Sequence, residues 1–246
     1  MNLTNPTVPA RTRIRGRHDT SATYLAHGAD TPAPGGLSDR VLFAAAPALF
    51  LGGWLLMRPI DGQSEPGAWW TAAHVVWLAG FVLFTVLSLR FRRIAGARTT
   101  GQRIAVTASV SIVLLSSLAN VVQLSIDLVG GFTSADSAEL KDVFAHVKEI
   151  PGAEAIIYGI GAQVVFIGLI AFAVLAAVIR SGTRGPAALV TAGTVAMAVG
   201  MGFGRDHWTV PLGMVCLLAG LTLLGRELDG GAGALTSRTD PRTPGA

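Results

Sequence analysis

Charged residues are scarce in this chain of 246 residues, where Asp, Glu, Lys and Arg together make up only 14%. An ordinary soluble domain carries about 25% charged residues. Here 51% of the residues are hydrophobic and the mean hydropathy is +0.54. This composition argues strongly against a water-soluble globular fold and predicts an all-α protein embedded in a membrane.

Cysteine is almost absent as well, and this limits the cofactors that the chain can hold. The lone Cys216 excludes an internal disulfide, a four-cysteine zinc site and a CxxC redox pair. A haem held by two histidines needs both at one depth, whereas His74, His146 and His207 fall in a span, a loop and a span boundary. A zinc site built from His74, Asp206 and His207 has no spacing motif in its favour. We therefore predict no metal, no cofactor and no catalytic residue.

The chain is rich in long apolar segments. A bilayer core of about 30 Å requires roughly 17 to 25 helical residues. Six segments meet this requirement, at residues 41–57, 69–89, 104–129, 154–179, 186–204 and 208–225. They predict a polytopic transmembrane helical bundle of six spans over residues 41–225. The flanking segments, 1–40 and 226–246, contain little that could form a core and are predicted to be disordered tails.

The distribution of Lys and Arg predicts the orientation of these spans. With the amino terminus inside, 15 of the 19 basic residues fall on the cytoplasmic side and four fall outside. Cytoplasmic loops carry the excess of Lys and Arg, so both tails are expected in the cytoplasm of a bacterial plasma membrane. The same placement accounts for the basic pI near 10.0 without nucleic acid, and it makes membrane lipids the expected partners.

One outer loop has a periodicity of its own. Between residues 134 and 150 apolar side chains recur at spacings of three and four, which is typical of an amphipathic helix. Ser134 and Ser137 are the candidate N-caps. The helix is interpreted first as an interfacial element that shields the loop, and a gating lid is the alternative.

The third span carries the most informative pattern. Ser109, Ser116, Asn120, Gln123 and Asp127 are spaced by seven, four, three and four residues, so they form one stripe on a helix. An ionisable residue such as Asp127 avoids lipid, so the stripe is expected to face other helices or a wet cavity. Gln163 is expected at the depth of Asn120, close enough for the two amides to pair. The candidate outward-facing polar pocket comprises His74, Asn120, Gln123, Asp127, Tyr158 and Gln163.

This polar cluster can be interpreted in two ways. Ser, Asn and Gln often form hydrogen bonds between membrane helices, at about 0.6 kcal/mol per contact, so the cluster can be structural. The alternative is a functional pocket.

The fifth predicted span repeats small residues every four positions, at Ala188, Ala192, Ala196, Gly200 and Gly204. Such a ridge allows helix backbones to approach closely. We predict packing along it, with a protein partner or a second copy of the chain as a candidate neighbour for Ala192, Ala196, Gly200 and Gly204.

The stretch from residue 158 to 197 resembles the fourth and fifth spans of a large family of uncharacterised bacterial six-helix membrane proteins. The matching residues are Tyr158, Gly159, Ala162, Gln163 and Phe166, followed by the basic hinge of Arg180 and Arg184. The polar third span, with Asn120 and Gln123, is also similar, and the likeness covers about residues 70–225. The resemblance implies a six-helix membrane fold and no established activity.

Three classes of function remain open at this point. A binding or regulatory membrane module leads, because the basic segments offer a surface for lipid headgroups or a partner. A small-molecule carrier would need the polar stripe to continue to the inner side, yet little beyond Gln102 lies below Ser109. A membrane-embedded enzyme acting on a lipid or isoprenoid would need an acid and a base at one depth, for which Asp127 and His74 are the candidate pair.

Overall fold

The computed structural model of the chain describes residues 38–57, 65–203 and 208–237. Every regular element in these ranges is helical, which confirms the all-α prediction. The α-helices are α1 (Asp39–Leu56), α2 (Ala68–Ile94), α3 (Thr100–Thr133), α4 (Ser137–Glu149), α5 (Ile160–Ile179), α6 (Arg184–Phe203) and α7 (Thr209–Ser237). A π-helical turn, Glu154–Tyr158, precedes α5, and a 3₁₀ turn, Ser181–Thr183, precedes α6. Residues 1–37 and 238–246, which hold most of the predicted tails, lie outside the described residues.

Five segments of the described chain are long and apolar enough to cross a membrane. They are Asp39–Leu56, Ala68–Ile94, Thr100–Thr133, Ser181–Phe203 and Thr209–Leu228. The fourth predicted span, 154–179, is not one continuous helix, because the π-helical turn and Gly159 interrupt it. Its apolar helical part, Gln163–Ile179, is shorter than the other five. The chain is thus a membrane-embedded helical protein with five long apolar helices and one shorter one.

Six of the helices form a closed ring in the order α1, α2, α3, α5, α6, α7, and α7 packs back against α1. Neighbours along the ring are joined by short connections or by α4, so they run in opposite directions. One end of the bundle, called here the α4 end, holds the last residues of α1, α3 and α6 and the first residues of α2, α5 and α7. The opposite end is called the Arg180 end.

Aromatic and aliphatic side chains fill the ring at the Arg180 end. The rings of Phe91 and Phe172 have centroids 3.6 Å apart, and Phe43 lies 6.4 Å from Phe172. All three side chains are fully buried. On α7, Gly225 allows α1 to approach, because a Cβ there would lie 2.6 Å from the Cβ of Phe43. This half of the bundle is a dry, packed core.

Arg180 ties three helices together at this end. Its Nη1 donates a hydrogen bond to Leu228 O on α7 at 3.0 Å, and its Nη2 donates to Ile94 O at the end of α2 at 2.9 Å. The planar guanidinium suits this double role, since its donors are held in a fixed fork. Ile94 is the last residue of α2, so Arg180 satisfies a carbonyl that has no donor within its helix. Leu228 lies well inside α7, so the second hydrogen bond adds a contact between helices.

Helices α6 and α7 pack through glycines, most of which lie off the predicted ridge. A Cβ on Gly193 would lie 2.6 Å from Gly213 O, and a Cβ on Gly220 would lie 2.7 Å from Val190 N. Gly200 is buried against α7, as the ridge predicted, whereas Ala188 and Ala192 are exposed and Ala196 is half-buried. Gly204 lies outside the described residues.

The predicted ridge thus packs against α7 at Gly200 but leaves Ala188 and Ala192 exposed, since four-residue spacing alone does not say which helix face is buried. Its alanines line an open apolar groove between α5 and α6, together with Val178 and Val195. A partner or second copy at this groove stays a prediction.

Two predicted boundaries also differ from the structure. The predicted amphipathic helix over 134–150 is α4, but its N-cap is Asp136 rather than Ser134 or Ser137. The Asp136 carboxylate accepts from both Ala138 N and Glu139 N, and its charge favours the positive helix end. Helix α7 continues past Gly225, where the second tail was predicted to begin, and reaches Ser237. Buried Leu228 carries the apolar face of α7 beyond Arg226.

Candidate functional site

A cavity of about 190 Å³ lies inside the ring toward the α4 end. All six ring helices contribute side chains to its wall, and these come from the part of each helix nearest the α4 end. Gln163 and Met201 line the cavity and are also exposed at the protein surface, so they lie at its rim. In the other direction the packed core of Phe43, Phe91 and Phe172 fills the ring. The cavity is therefore blind.

Most of the wall is aromatic or sulfur-containing. Phe50 and Phe81 meet edge to face, with ring centroids 5.2 Å apart at an interplanar angle of 84°. Four of the five methionines of the chain line the cavity. Thioethers are polarisable and adaptable, and they make favourable contacts with aromatic rings. The apolar lining residues are Phe50, Trp54, Met57, Trp77, Phe81, Leu124, Val165, Phe166, Met197, Met201, Val210 and Met214.

His74 is held in a defined position by its own helix. Its Nδ1 donates to Trp70 O at 2.7 Å, one turn back on α2. The imidazole stacks on the Trp70 ring at 3.8 Å between centroids and meets the edge of Trp77 at 5.5 Å. Trp77 is itself anchored, because its Nε1 donates to Phe50 O on α1 at 3.0 Å. Two tryptophans, about one turn to either side of His74 on α2, thus fix the orientation of the imidazole.

Asp127 of α3 faces the other ring nitrogen of His74. Its Oδ2 lies 3.8 Å from His74 Nε2, and the two side chains are 11% and 7% exposed. A carbonyl oxygen only accepts, so the contact with Trp70 O places a proton on Nδ1. The carboxyl group of Asp127 and the Nε2 side of the His74 ring thus face each other in a buried site, close enough to interact electrostatically.

The rest of the polar stripe faces inward, as predicted. Ser116 Oγ donates to Gly161 O at 2.7 Å and so links α3 to the start of α5. Asn120 Nδ2 donates to Ser116 O at 2.9 Å on its own helix, so the predicted pair with Gln163 is not what positions this amide. Asn120, Gln123 and Gln163 all line the cavity, and each amide can both donate and accept hydrogen bonds.

Tyr158, the sixth predicted pocket residue, lies beside the cavity rather than in its wall. Its ring packs near Phe144 of α4, with centroids 6.3 Å apart, and the Lys148 ammonium lies 5.5 Å from it. The hydroxyl is buried without a hydrogen-bond partner in the described structure. Tyr158 belongs to the turn before α5, outside the spanning helices. Burial, together with the nearby negative charge of Asp127, raises the pKa of Tyr158 to about 12, so the hydroxyl keeps its proton at neutral pH.

The structure thus brings His74, Asn120, Gln123, Asp127 and Gln163 to one cavity. Sequence reasoning missed the methionines and the two anchoring tryptophans, Trp70 and Trp77. The methionines carried a usable signal, because Met57, Met197, Met201 and Met214 all fall in the outer half of their predicted spans. No sequence signal indicated the role of Trp70, because that role depends on how its ring stacks on His74.

Within the described ranges, no three His, Cys, Asp or Glu side chains are grouped closely enough to hold a metal ion. Asp206 and His207, considered above for zinc, lie outside those ranges. Comparison with family models, with curated proteins and with solved structures finds no match to the chain. The resemblance to the six-helix bacterial family therefore stays a prediction, and the function has to be argued from the cavity.

Proposed function

We propose that the protein is an integral membrane binding module, with a regulatory role, whose ligand occupies the cavity at the α4 end. The observation that carries this proposal is the asymmetry of the ring. Six helices surround a space lined by adaptable side chains at one end, and a packed aromatic core closes the other end. Concave sites of this kind, mostly apolar with a few polar groups, are the usual form of small-molecule sites.

The proposed topology has six crossings in a bacterial plasma membrane, with both termini in the cytoplasm and the cavity facing outward. Exposed arginines at the Arg180 end support it, since cytoplasmic ends carry the basic excess. These residues also provide a surface for anionic lipid headgroups, the proposed membrane partners. The exposed arginines at this end, among the described residues, are Arg40, Arg92, Arg93, Arg98, Arg103, Arg184 and Arg226.

The topology is tested by labelling single cysteines in intact cells. In a Cys216→Ser background, Ser64→Cys and Ser137→Cys should react with an impermeant thiol reagent, and Thr99→Cys should react only after lysis. The reverse pattern would overturn the orientation.

The binding role is tested with two tryptophan substitutions at adjacent positions of α7. Met214 lines the cavity and is 4% exposed, whereas Val215 faces away and is 49% exposed. Native mass spectrometry of the detergent-purified protein should detect a co-purified small molecule in the wild type and in Val215→Trp, but not in Met214→Trp. Equal occupancy in both variants, or none in the wild type, would count against the proposal.

A second candidate function is favoured by one observation, the His74–Asp127 pair. An imidazole oriented by a backbone carbonyl and facing a carboxylate at 3.8 Å is an arrangement that supports general acid–base chemistry. A membrane-embedded enzyme acting on a lipid or isoprenoid would use it on a substrate in the cavity. Asp127→Asn distinguishes the two functions, since it should abolish turnover in an enzyme while leaving a binding module occupied. The carrier alternative is disfavoured, because the packed core closes the path toward the Arg180 end.

A further inference from the structure

The size of the cavity limits its ligand. A dry protein cavity of about 150 Å³ holds one benzene molecule, and this cavity has a volume of about 190 Å³. It therefore has room for one substituted ring or two fused rings. A whole lipid or a long isoprenoid chain would have to leave most of its length outside.

The charges on the wall limit the ligand further. His74 and Asp127 are the ionisable side chains among the described lining residues, and they face each other at 3.8 Å. A cationic ligand would have to displace His74 from its place beside Asp127, and an anionic ligand would meet the Asp127 carboxyl group without a counter-charge of its own. Burying a charge without a counter-charge is costly, so the wall favours a neutral ligand.

The aromatic, methionine and amide side chains of the wall suit the faces and the edge of an aromatic ligand ring. Phe50, Phe81 and Trp77 already meet their neighbours edge to face, an arrangement that aromatic rings prefer. The methionine thioethers add soft contacts for ring edges. Asn120, Gln123 and Gln163 supply amides that both donate and accept, so they suit a polar atom at the edge of the ligand.

We infer that the ligand is an uncharged molecule of one or two rings with an oxygen or nitrogen at its edge, the chemical class of quinones, phenols and indoles. This inference rests on the proposed function, namely that the cavity binds a small molecule. The ring lies among the aromatic and methionine side chains, and its polar edge faces the amides of α3 and α5.

The test measures the affinity of four probes of similar size for the full-length protein in lipid nanodiscs, with empty nanodiscs as the reference for partitioning. The probes are 2-naphthol, 1,4-naphthoquinone, naphthalene and 1-naphthylmethylammonium. We expect the first two to bind about three- to tenfold more tightly than naphthalene, which corresponds to one net hydrogen bond. The ammonium should bind more weakly than naphthalene.

Two further variants link these affinities to the wall. Met214→Trp should abolish binding of all four probes, and Val215→Trp should leave it unchanged. Gln123→Leu removes an amide without filling the cavity, so it should erase the preference for 2-naphthol over naphthalene while naphthalene still binds. Gln123→Leu also keeps the inference testable if Met214→Trp does not fold.

Other results would contradict either the proposed ligand class or the binding site itself. Tightest binding of the ammonium would refute the neutral class, and equal binding of naphthalene and 2-naphthol would refute recognition of a polar edge, yet both would leave the cavity as a binding site. Absence of binding by every probe, or equal binding in Met214→Trp, would refute the proposed function together with the inference.

Discussion

The contact between Gly131 and Trp70 connects helix packing to the geometry of the cavity. Gly131 lies near the end of α3, and a Cβ there would overlap Cζ3 of Trp70 and lie 2.9 Å from Cε3 and Cη2. Trp70 is 4% exposed and packs with Met57, Ala73 and Leu140, so its ring has little room to retreat. Because the same ring stacks on His74, Gly131→Ala should disturb both the packing and the site.

The expected magnitude follows from two opposing effects. Overpacking a well-packed site costs about 1 to 3 kcal/mol, whereas replacing a helical glycine by alanine stabilises by roughly 0.5 to 1 kcal/mol. The difference spans about 0 to 2.5 kcal/mol. Because the Trp70 ring has little room to retreat, we expect the upper part of this range, about 1 to 2.5 kcal/mol, which should lower the melting temperature by about 2 to 10 °C for a chain of this size. Thermal unfolding in detergent, followed by near-ultraviolet circular dichroism of the tryptophans, measures it.

Two controls make this prediction specific. Gly202→Ala, where a Cβ would meet nothing within 4 Å, should be neutral or slightly stabilising. Trp70→Phe combined with Gly131→Ala removes the overlapping ring atoms, so the double variant should lose less stability than the two single changes added together. A Gly131→Ala protein that melts with the wild type, or strictly additive losses, would refute the proposed contact.

Three other predictions concern the rest of the bundle. Gly193→Ala should cost about 1 to 3 kcal/mol because its Cβ meets backbone atoms of α7, and a melting temperature equal to that of Gly185→Ala would contradict this. Arg180→Met should destabilise more than the exposed Arg184→Met, because it removes both hydrogen bonds and leaves Ile94 O at the end of α2 without a donor, and equal melting points would show that these hydrogen bonds do not stabilise the bundle. In a Tyr24→Phe background, tyrosinate absorbance should rise with a midpoint near the Tyr158 pKa of about 12. Because burial raises this pKa, the Tyr158 contribution to stability is intact below pH 10 and is lost as the pH rises toward 12, and Tyr158→Phe should remove that loss.

Helix content and the inward polar stripe were predictable because both follow from local patterns. Asn120, Gln123 and Asp127 share a face by spacing alone, and burial in the ring agrees with the cost of exposing Asp127 to lipid. The predicted depth of His74 and Gln163 required only the alternating direction of the spans. These residues needed no knowledge of which helices are neighbours.

The features that sequence reasoning missed depend on tertiary contacts. The four-residue spacing from Ala188 to Gly204 could not identify the main contact with α7, because small residues lie on two faces of α6 and only the fold selects the face with Gly193. The interruption before α5 depends on the main-chain path around Gly159, which hydropathy does not register. The hydrogen bond from His74 to Trp70 O follows from a side-chain rotamer, and the closure of the ring by α1 and α7 joins segments distant in sequence.

The central claim, a blind cavity open only toward the outside, is tested most directly by thiol accessibility along the α3 stripe. In a Cys216→Ser background, Gln123→Cys lies on the cavity wall and Ser109→Cys lies in the packed part of the ring, where Ser109 is 2% exposed. We expect a small impermeant thiosulfonate to label Gln123→Cys in intact cells, and Ser109→Cys to react from neither side. Labelling of Ser109→Cys from either side would reveal a continuous path and contradict the closed inner end of the cavity. An unreactive Gln123→Cys in a folded protein would contradict its opening toward the outside.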